Sequence, residues 1–332
     1  MVDPARGTDS APKQKEGKTM KRIVSLLLMM IMLCCAAAAP AEERAAPEDR
    51  KETVTQLDHG IEAHFRNCQP KFWEAPCDHP GTVERVDYQT NVYGDTMDRW
   101  ANVYLPYGYD DAGQYDIIYF FHGTNETQDS FISSDQVKNM IDNIIDMGLC
   151  EPFLMVFPTY YYDYETRAVN HQLFPEEVRS DLIPAVESRY GTYAPTADAE
   201  GFAASRDHRC ISGYSQGSMA CWNVSYRVLD WARWIMPMSG SSVSNLDGLK
   251  AALAETGLSA GDIFVILCSG GKRDMAYEGT VALANAMIAD EAFSFGTDPN
   301  ENNFCVEISK EMHTTVNGRF NLYNAVQDAL FK

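Results

Sequence analysis

The chain has 332 residues, 45% hydrophobic and 11% aromatic, which is enough to bury a sizeable core and excludes a disordered or fibrous protein. Its formal net charge of −20 argues against nucleic acid or an anionic membrane surface as a partner and favours solubility.

In chain order, the first segment does not read as fold. Lys21-Arg22, an apolar run over 23–33 and an alanine-rich stretch ending Ala39-Pro40-Ala41 have the layout of a secretory signal peptide. Residues 1–41 are therefore expected to be an upstream extension and export signal. The run is too short to span a bilayer, so no transmembrane span is expected; a lipoprotein anchor at Cys34 or Cys35 is the alternative. Residues 42–80 are charged and Ala/Glu-rich at first and read as a linker and lead-in, with one catalytic domain over 81–332. Cys68 and Cys77 bracket a proline-rich segment. They fit either a small loop disulfide in an oxidising compartment or two free thiols.

Residues 82–92 alternate, and 100–105 follow, which predicts an antiparallel pair at a sheet edge. Then unbroken apolar runs recur at 117–121, 153–157, 235–238, 263–268 and 304–308. Such runs suit strands buried on both faces of a parallel sheet. Helical spacing lies between them, as in Val137, Met140, Ile141 and Ile144, and again in the tail through Phe320 and Tyr323. The alternation predicts an α/β fold: a mostly parallel, doubly wound sheet with an antiparallel N-terminal edge, in a single domain.

Within that frame, Gly213-Tyr214-Ser215-Gln216-Gly217 lies between a β-leaning stretch and a helical one. Strand, G-x-S-x-G and helix together describe a nucleophile elbow, whose glycines let two backbones pass closely. Chemistry in open parallel sheets gathers past the carboxyl ends of strands. There lie His122-Gly123-Thr124-Asn125, Asp274 and His313. The order Ser215, Asp274, His313 is that of α/β-hydrolases. Glu278 is the alternative acid; of the other histidines, His59, His64 and His79 precede the core, His122 belongs to the glycine turn, His171 lies in a loop with no obvious strand before it, and His208 sits at the wrong end of the serine's own strand. His313 would take the serine proton and Asp274 would orient the imidazole. Oxyanion donors are expected at the N–H groups of Gln216 and Thr124. Gly123, Asn125, Tyr214 and Tyr160 are expected to line the substrate site; the tyrosine-rich stretch 160–164 fits either loop packing or a wall for a sugar or an aromatic acyl group. No G-x-G-x-x-G, Walker A or H-E-x-x-H pattern occurs, so neither a cofactor nor a metal is expected.

Several separate stretches carry a resemblance: Ala101 to Tyr109, Phe120-Phe121-His122-Gly123, Asp181 to Glu187, Ser205 to Arg209, Gly213 to Gly217, Met236 to Gly240 and Asp274-Met275-Ala276-Tyr277. From Pro76 onward the chain resembles secreted carbohydrate esterases of the feruloyl-esterase and acetyl-xylan-esterase kind, related to esterase D. The resemblance implies an α/β-hydrolase with a Ser215–His313–Asp274 triad that cleaves feruloyl or acetyl esters on plant cell-wall polysaccharide, or small acyl esters. The sequence departs from the pattern at Gln216, at Thr124-Asn125-Glu126 and on both sides of His313. Those departures also fit a non-catalytic carbohydrate-binding protein of the same fold, and the same machinery fits an acyltransferase or thioester hydrolase.

Overall fold

The computed structural model describes residues 52–133 and 135–332. The expected export signal over 1–41 lies outside the described residues.

The centre of the fold is an eight-stranded sheet. Its strands are β3 (Thr82–Thr90), β4 (Met97–Leu105), β5 (Asp116–Phe121), β6 (Phe153–Phe157), β9 (Arg209–Tyr214), β10 (Trp234–Met238), β11 (Phe264–Ser269) and β12 (Phe304–Ile308), in the order β12-β11-β10-β9-β5-β6-β4-β3. The six strands from β12 to β6 run parallel, whereas β4 pairs antiparallel with β6 and β3 with β4. The antiparallel edge and the apolar parallel strands both match the sequence reading. This is the α/β-hydrolase fold.

The strands do not alternate in polarity because both faces are covered. Tyr119, Phe121, Ile211, Ile235, Val265 and Leu267 enter one core, and their neighbours Ile118, Phe120, Cys210, Met236, Phe264 and Ile266 enter the other. Helix α1 (Asp135–Asp146) and the last helix, α8 (Thr315–Asp328), cover the second face. Helices α2 (Phe174–Glu177), α3 (Ile183–Glu187), α4 (Ala199–Ala204), α5 (Gln216–Val228), α6 (Ser244–Thr256) and α7 (Tyr277–Ile288) fall between them in the chain, and those that pack on the sheet cover the first face. A π-turn, Val178–Leu182, joins α2 to α3. Buried Arg209 on β9 holds Glu187 through two bonds of 2.6 Å, which fastens α3 to the middle of the sheet.

The linker expected over 42–80 needs correction. Within the described residues it contains a hairpin of β1 (Glu52–Gln56) and β2 (Glu62–Arg66). Thr53, Thr55, Ala63 and Phe65 face inward, and Asn324 of α8 bonds both the N–H and the carbonyl of Arg66. The disulfide alternative is not realised either. Cys68 and Cys77 are free thiols. Cys68 is buried near Arg319 of α8, and burial pushes its thiol up to about 12; Cys77 sits near Asp142 and Asp146 of α1.

Between β6 and α2 a short hairpin, β7 (Tyr161–Asp163) with β8 (Ala168–Val169), stands beside the turn that follows β5.

Candidate active site

Three loops at the carboxyl edge of the sheet converge. Ser215 follows β9, Asp274 follows β11 and His313 follows β12. His313 Nε2 lies 2.8 Å from Ser215 Oγ, and His313 Nδ1 lies 2.7 Å from Asp274 Oδ1. A carboxylate only accepts, so Nδ1 donates to Asp274 and Nε2 presents its lone pair to the serine hydroxyl.

Ser215 occupies φ 57° and ψ −117°, a strained backbone for a residue with a side chain. Its surroundings impose that conformation: the Ser215 N–H donates to Met238 O at 2.8 Å, and Ser215 O accepts from Ser218 N at 2.9 Å. The crossing is tight. A Cβ at Gly217 would fall 2.0 Å from Phe121 O, and one at Gly213 would fall 2.2 Å from Gly217 O. Glycine at 217 therefore lets the end of β5 lie against the start of α5.

Asp274 is only 3% exposed, yet all its bonds favour the ionised form. Oδ1 also accepts from Ala276 N at 2.9 Å, while Oδ2 accepts from Ser239 Oγ at 2.7 Å and Gly270 N at 2.8 Å. Burial raises the carboxyl, and these bonds together with His313 outweigh it, bringing it down to about 2.

The turn after β5 supplies amides. Gly123 N–H donates to Glu126 Oε2 at 2.7 Å, and Asn125 N–H donates to Tyr161 OH at 2.9 Å. Thr124 between them is exposed, and its N–H has no acceptor among the described residues. Gln216 N–H is the first of α5 and has no acceptor within the helix. Tyr160 OH lies between the two loops, donating its one proton to Gly123 O at 3.1 Å, with Gln216 Oε1 farther off at 3.4 Å.

The expected pocket residues divide. Asn125 is exposed, with Oδ1 accepting from Arg167 at 2.7 Å. Tyr214 is nearly buried, its ring 5.2 Å from the His313 ring. Gly123 is buried and its amide is taken. Tyr160 is 0% exposed, so its ring supports the turn and offers no wall to a ligand. Among the described residues no cluster of His, Cys, Asp or Glu is arranged to hold a metal ion.

A family model for esterases matches residues 96–224. The chain is 34% identical over 242 residues to endo-1,4-beta-xylanase Y of Acetivibrio thermocellus, matching 71% of this chain and 22% of that protein. It is 24% identical over 186 residues to an endo-1,4-beta-xylanase/feruloyl esterase of Xylanibacter ruminicola, matching 49% of this chain and 24% of that one. It thus spans about a quarter of the length of these curated relatives. Among solved structures, a feruloyl esterase module from Clostridium thermocellum, complexed with sinapinate, aligns with a TM-score of 0.72 at 30% identity, covering 83% of this chain and 95% of that one. The chain belongs to the feruloyl esterase family. An enterobactin esterase from Shigella flexneri shares the fold, with a TM-score of 0.56 at 15% identity over 83% of this chain and 67% of that one.

Within this feruloyl esterase fold, several residues at the site escaped the sequence reading. Ser239 lies within Met236 to Gly240, but nothing in that local sequence aims its hydroxyl at Asp274. The Asn317 amide on α8 reaches Ser239 Oγ at 2.9 Å and Ser309 Oγ at 2.6 Å, continuing the polar support behind the acid. Three exposed methionines flank these side chains: Met275 beside Asp274, Met312 beside His313, and Met219 one helical turn after Ser215. Their signal in the sequence is adjacency to Ser215, Asp274 and His313.

Proposed function

We propose that this chain is an exported serine esterase that hydrolyses acyl esters, feruloyl or acetyl, on plant cell-wall polysaccharide through a Ser215–His313–Asp274 triad. The observation that carries the reading is the unbroken hydrogen-bond line from Ser215 Oγ through the imidazole to Asp274, at 2.8 and 2.7 Å. It is a hydrolytic arrangement with every member in reach, which favours catalysis over a degraded binding site.

In this reading Ser215 Oγ attacks the ester carbonyl carbon as its proton passes to His313 Nε2. The tetrahedral oxyanion is received by the N–H groups of Gln216 and Thr124. Collapse expels the sugar alcohol, which takes the proton from His313 and leaves an acyl group on Ser215. Water then repeats the sequence, with His313 as base, and the free acid departs. Asp274 keeps the imidazole in one tautomer and stabilises the imidazolium formed twice per turnover. Met219, Met275 and Met312 give the site exposed thioethers suited to an aromatic acyl group.

The family relationship, the basic-then-apolar segment before Ala41 and the relatives that carry xylanase names support export and a xylan ester as substrate. Wild type and Ser215→Ala are to be assayed on p-nitrophenyl acetate and on feruloylated arabinoxylan. Turnover of both by wild type, absent in the variant, is expected. Turnover that survives the substitution removes the proposal.

A further inference from the structure

We propose that the buried Arg99–Glu177 ion pair is a positioning device for the Thr124 amide, a role that rests on the esterase reading above. Arg99 is 2% exposed and Glu177 0%. The Arg99 Nε–H donates to Glu177 Oε1 at 2.8 Å, and the carboxylate also accepts from Tyr88 OH and Tyr93 OH, each at 2.6 Å. A charge so far from water is retained only where its partners are complete.

The other two ends of the guanidinium point to the segment after β6. Nη2 donates to Thr159 O at 2.6 Å and Nη1 to Tyr161 O at 2.5 Å. Three consecutive side chains of that segment then each hold one residue of the turn after β5. Thr159 Oγ1 pairs with His122 Nε2 at 2.7 Å, Tyr160 OH donates to Gly123 O at 3.1 Å, and Tyr161 OH accepts from Asn125 N at 2.9 Å. The residues on both sides of Thr124 are thereby fixed, and the Thr124 N–H is left without an acceptor among the described residues.

A planar five-donor fork can brace two carbonyls and a carboxylate at once, whereas a lysine ammonium cannot hold that geometry. Oxyanion donors act by being aimed before the charge develops, so slack of an ångström in the turn costs rate more than binding. Arg99 and Glu177 do not touch substrate in this account. They act through Thr159, Tyr160 and Tyr161.

The test uses four variants of the full chain. Tyr161→Phe and Thr159→Val each remove one brace and leave the ion pair intact. Arg99→Lys keeps the charge without the fork. Arg99→Met combined with Glu177→Gln removes both charges together, so that no carboxylate is left buried alone. With p-nitrophenyl acetate, kcat is expected to fall by about tenfold in Tyr161→Phe and by about 10- to 100-fold in the Arg99 variants, with KM within about twofold. Affinity for an arylboronic acid, which forms a tetrahedral adduct on serine, should weaken in step with kcat. Hydrogen exchange of the bonded turn amides of Gly123, Asn125 and Glu126 should accelerate in all four variants. Variants that lose only melting temperature, keeping kcat, boronate affinity and slow exchange in the turn, overturn the proposal. A wild type inert toward esters removes the esterase reading instead, and the exchange data then still decide whether the pair holds the turn.

Discussion

Ser239 Oγ donates to Asp274 Oδ2 at 2.7 Å, on the carboxylate oxygen that His313 does not use. The acid is thus held on one side by the imidazole and on the other by a buried hydroxyl that can itself be reached by Asn317. Ser239→Ala removes one donor and lets the carboxylate rotate. We expect kcat on p-nitrophenyl acetate to fall about tenfold at unchanged KM, a loss of about 1.4 kcal/mol in transition-state stabilisation. Asp274→Asn should cost far more, about 10⁴-fold, because the amide favours the wrong imidazole tautomer. Equal effects of the two substitutions would count against separate orienting and supporting roles.

Two of the perturbed carboxyls, Asp274 and Asp116, act oppositely on pH dependence. Asp274 is held down to about 2, so it stays ionised throughout the range above about pH 4. Its contribution to stability is present above the unfolded value near 4 and is lost as pH falls toward 2. Asp274→Asn should therefore lower kcat at every pH above about 4, where the wild-type carboxylate is ionised.

Asp116 is pushed up to about 6, because burial outweighs the hydrogen bond with His208. Its folded-state value lies above the unfolded one. The stabilisation is complete below about pH 4 and is lost as pH rises through 6. Asp116→Asn keeps an acceptor for His208 and removes the buried charge. Its melting temperature should rise relative to wild type at pH 8, corresponding to about 1–3 kcal/mol, and match wild type near pH 4. A gain of equal size at both pH values would show that charge is not the cause.

Gly217→Ala would place a Cβ 2.0 Å from Phe121 O and 2.5 Å from His122 O, both backbone atoms. Neither can retreat without moving β5 or the elbow, so a loss of about 3 kcal/mol and of activity is expected. Gly261→Ala is the control: its nearest contact would be Ser259 Oγ at 3.6 Å, and its stability should stay within about 0.5 kcal/mol of wild type. Urea unfolding of the two variants measures the contrast.

Phe65→Ala tests whether the β1–β2 hairpin belongs to the core. Phe65 is 1% exposed within the cluster that includes Phe72 and Tyr323. Truncation should cost about 3–5 kcal/mol in urea unfolding. A cost under about 1 kcal/mol would show that the hairpin is dispensable for stability.

What could be read in the sequence follows from how local each signal is. The parallel strands declared themselves because residues such as Ile118 and Tyr119 are buried on opposite faces, which leaves no polar position in the run. The elbow was legible because one turn needs glycine at two fixed positions. The hairpin at 52–66 was missed because its inward positions include Thr53 and Thr55, and these break the apolar alternation that marks a strand. Tyr160 reads equally as loop packing or ligand wall because spelling shows only an aromatic ring, and burial decides what that ring faces. The bonds of Arg99 to Glu177, and of Ser239 to Asp274, join residues 78 and 35 positions apart, a separation that no local pattern encodes.

The central claim is that Ser215 carries the acyl group during turnover. Wild type quenched in acid during hydrolysis of p-nitrophenyl ferulate is to be digested and examined by mass spectrometry. A feruloyl adduct on the peptide containing Ser215, absent from Ser215→Ala and accumulating when deacylation is slowed, is the predicted result. Steady turnover with no adduct, or with the adduct on another residue, would contradict it.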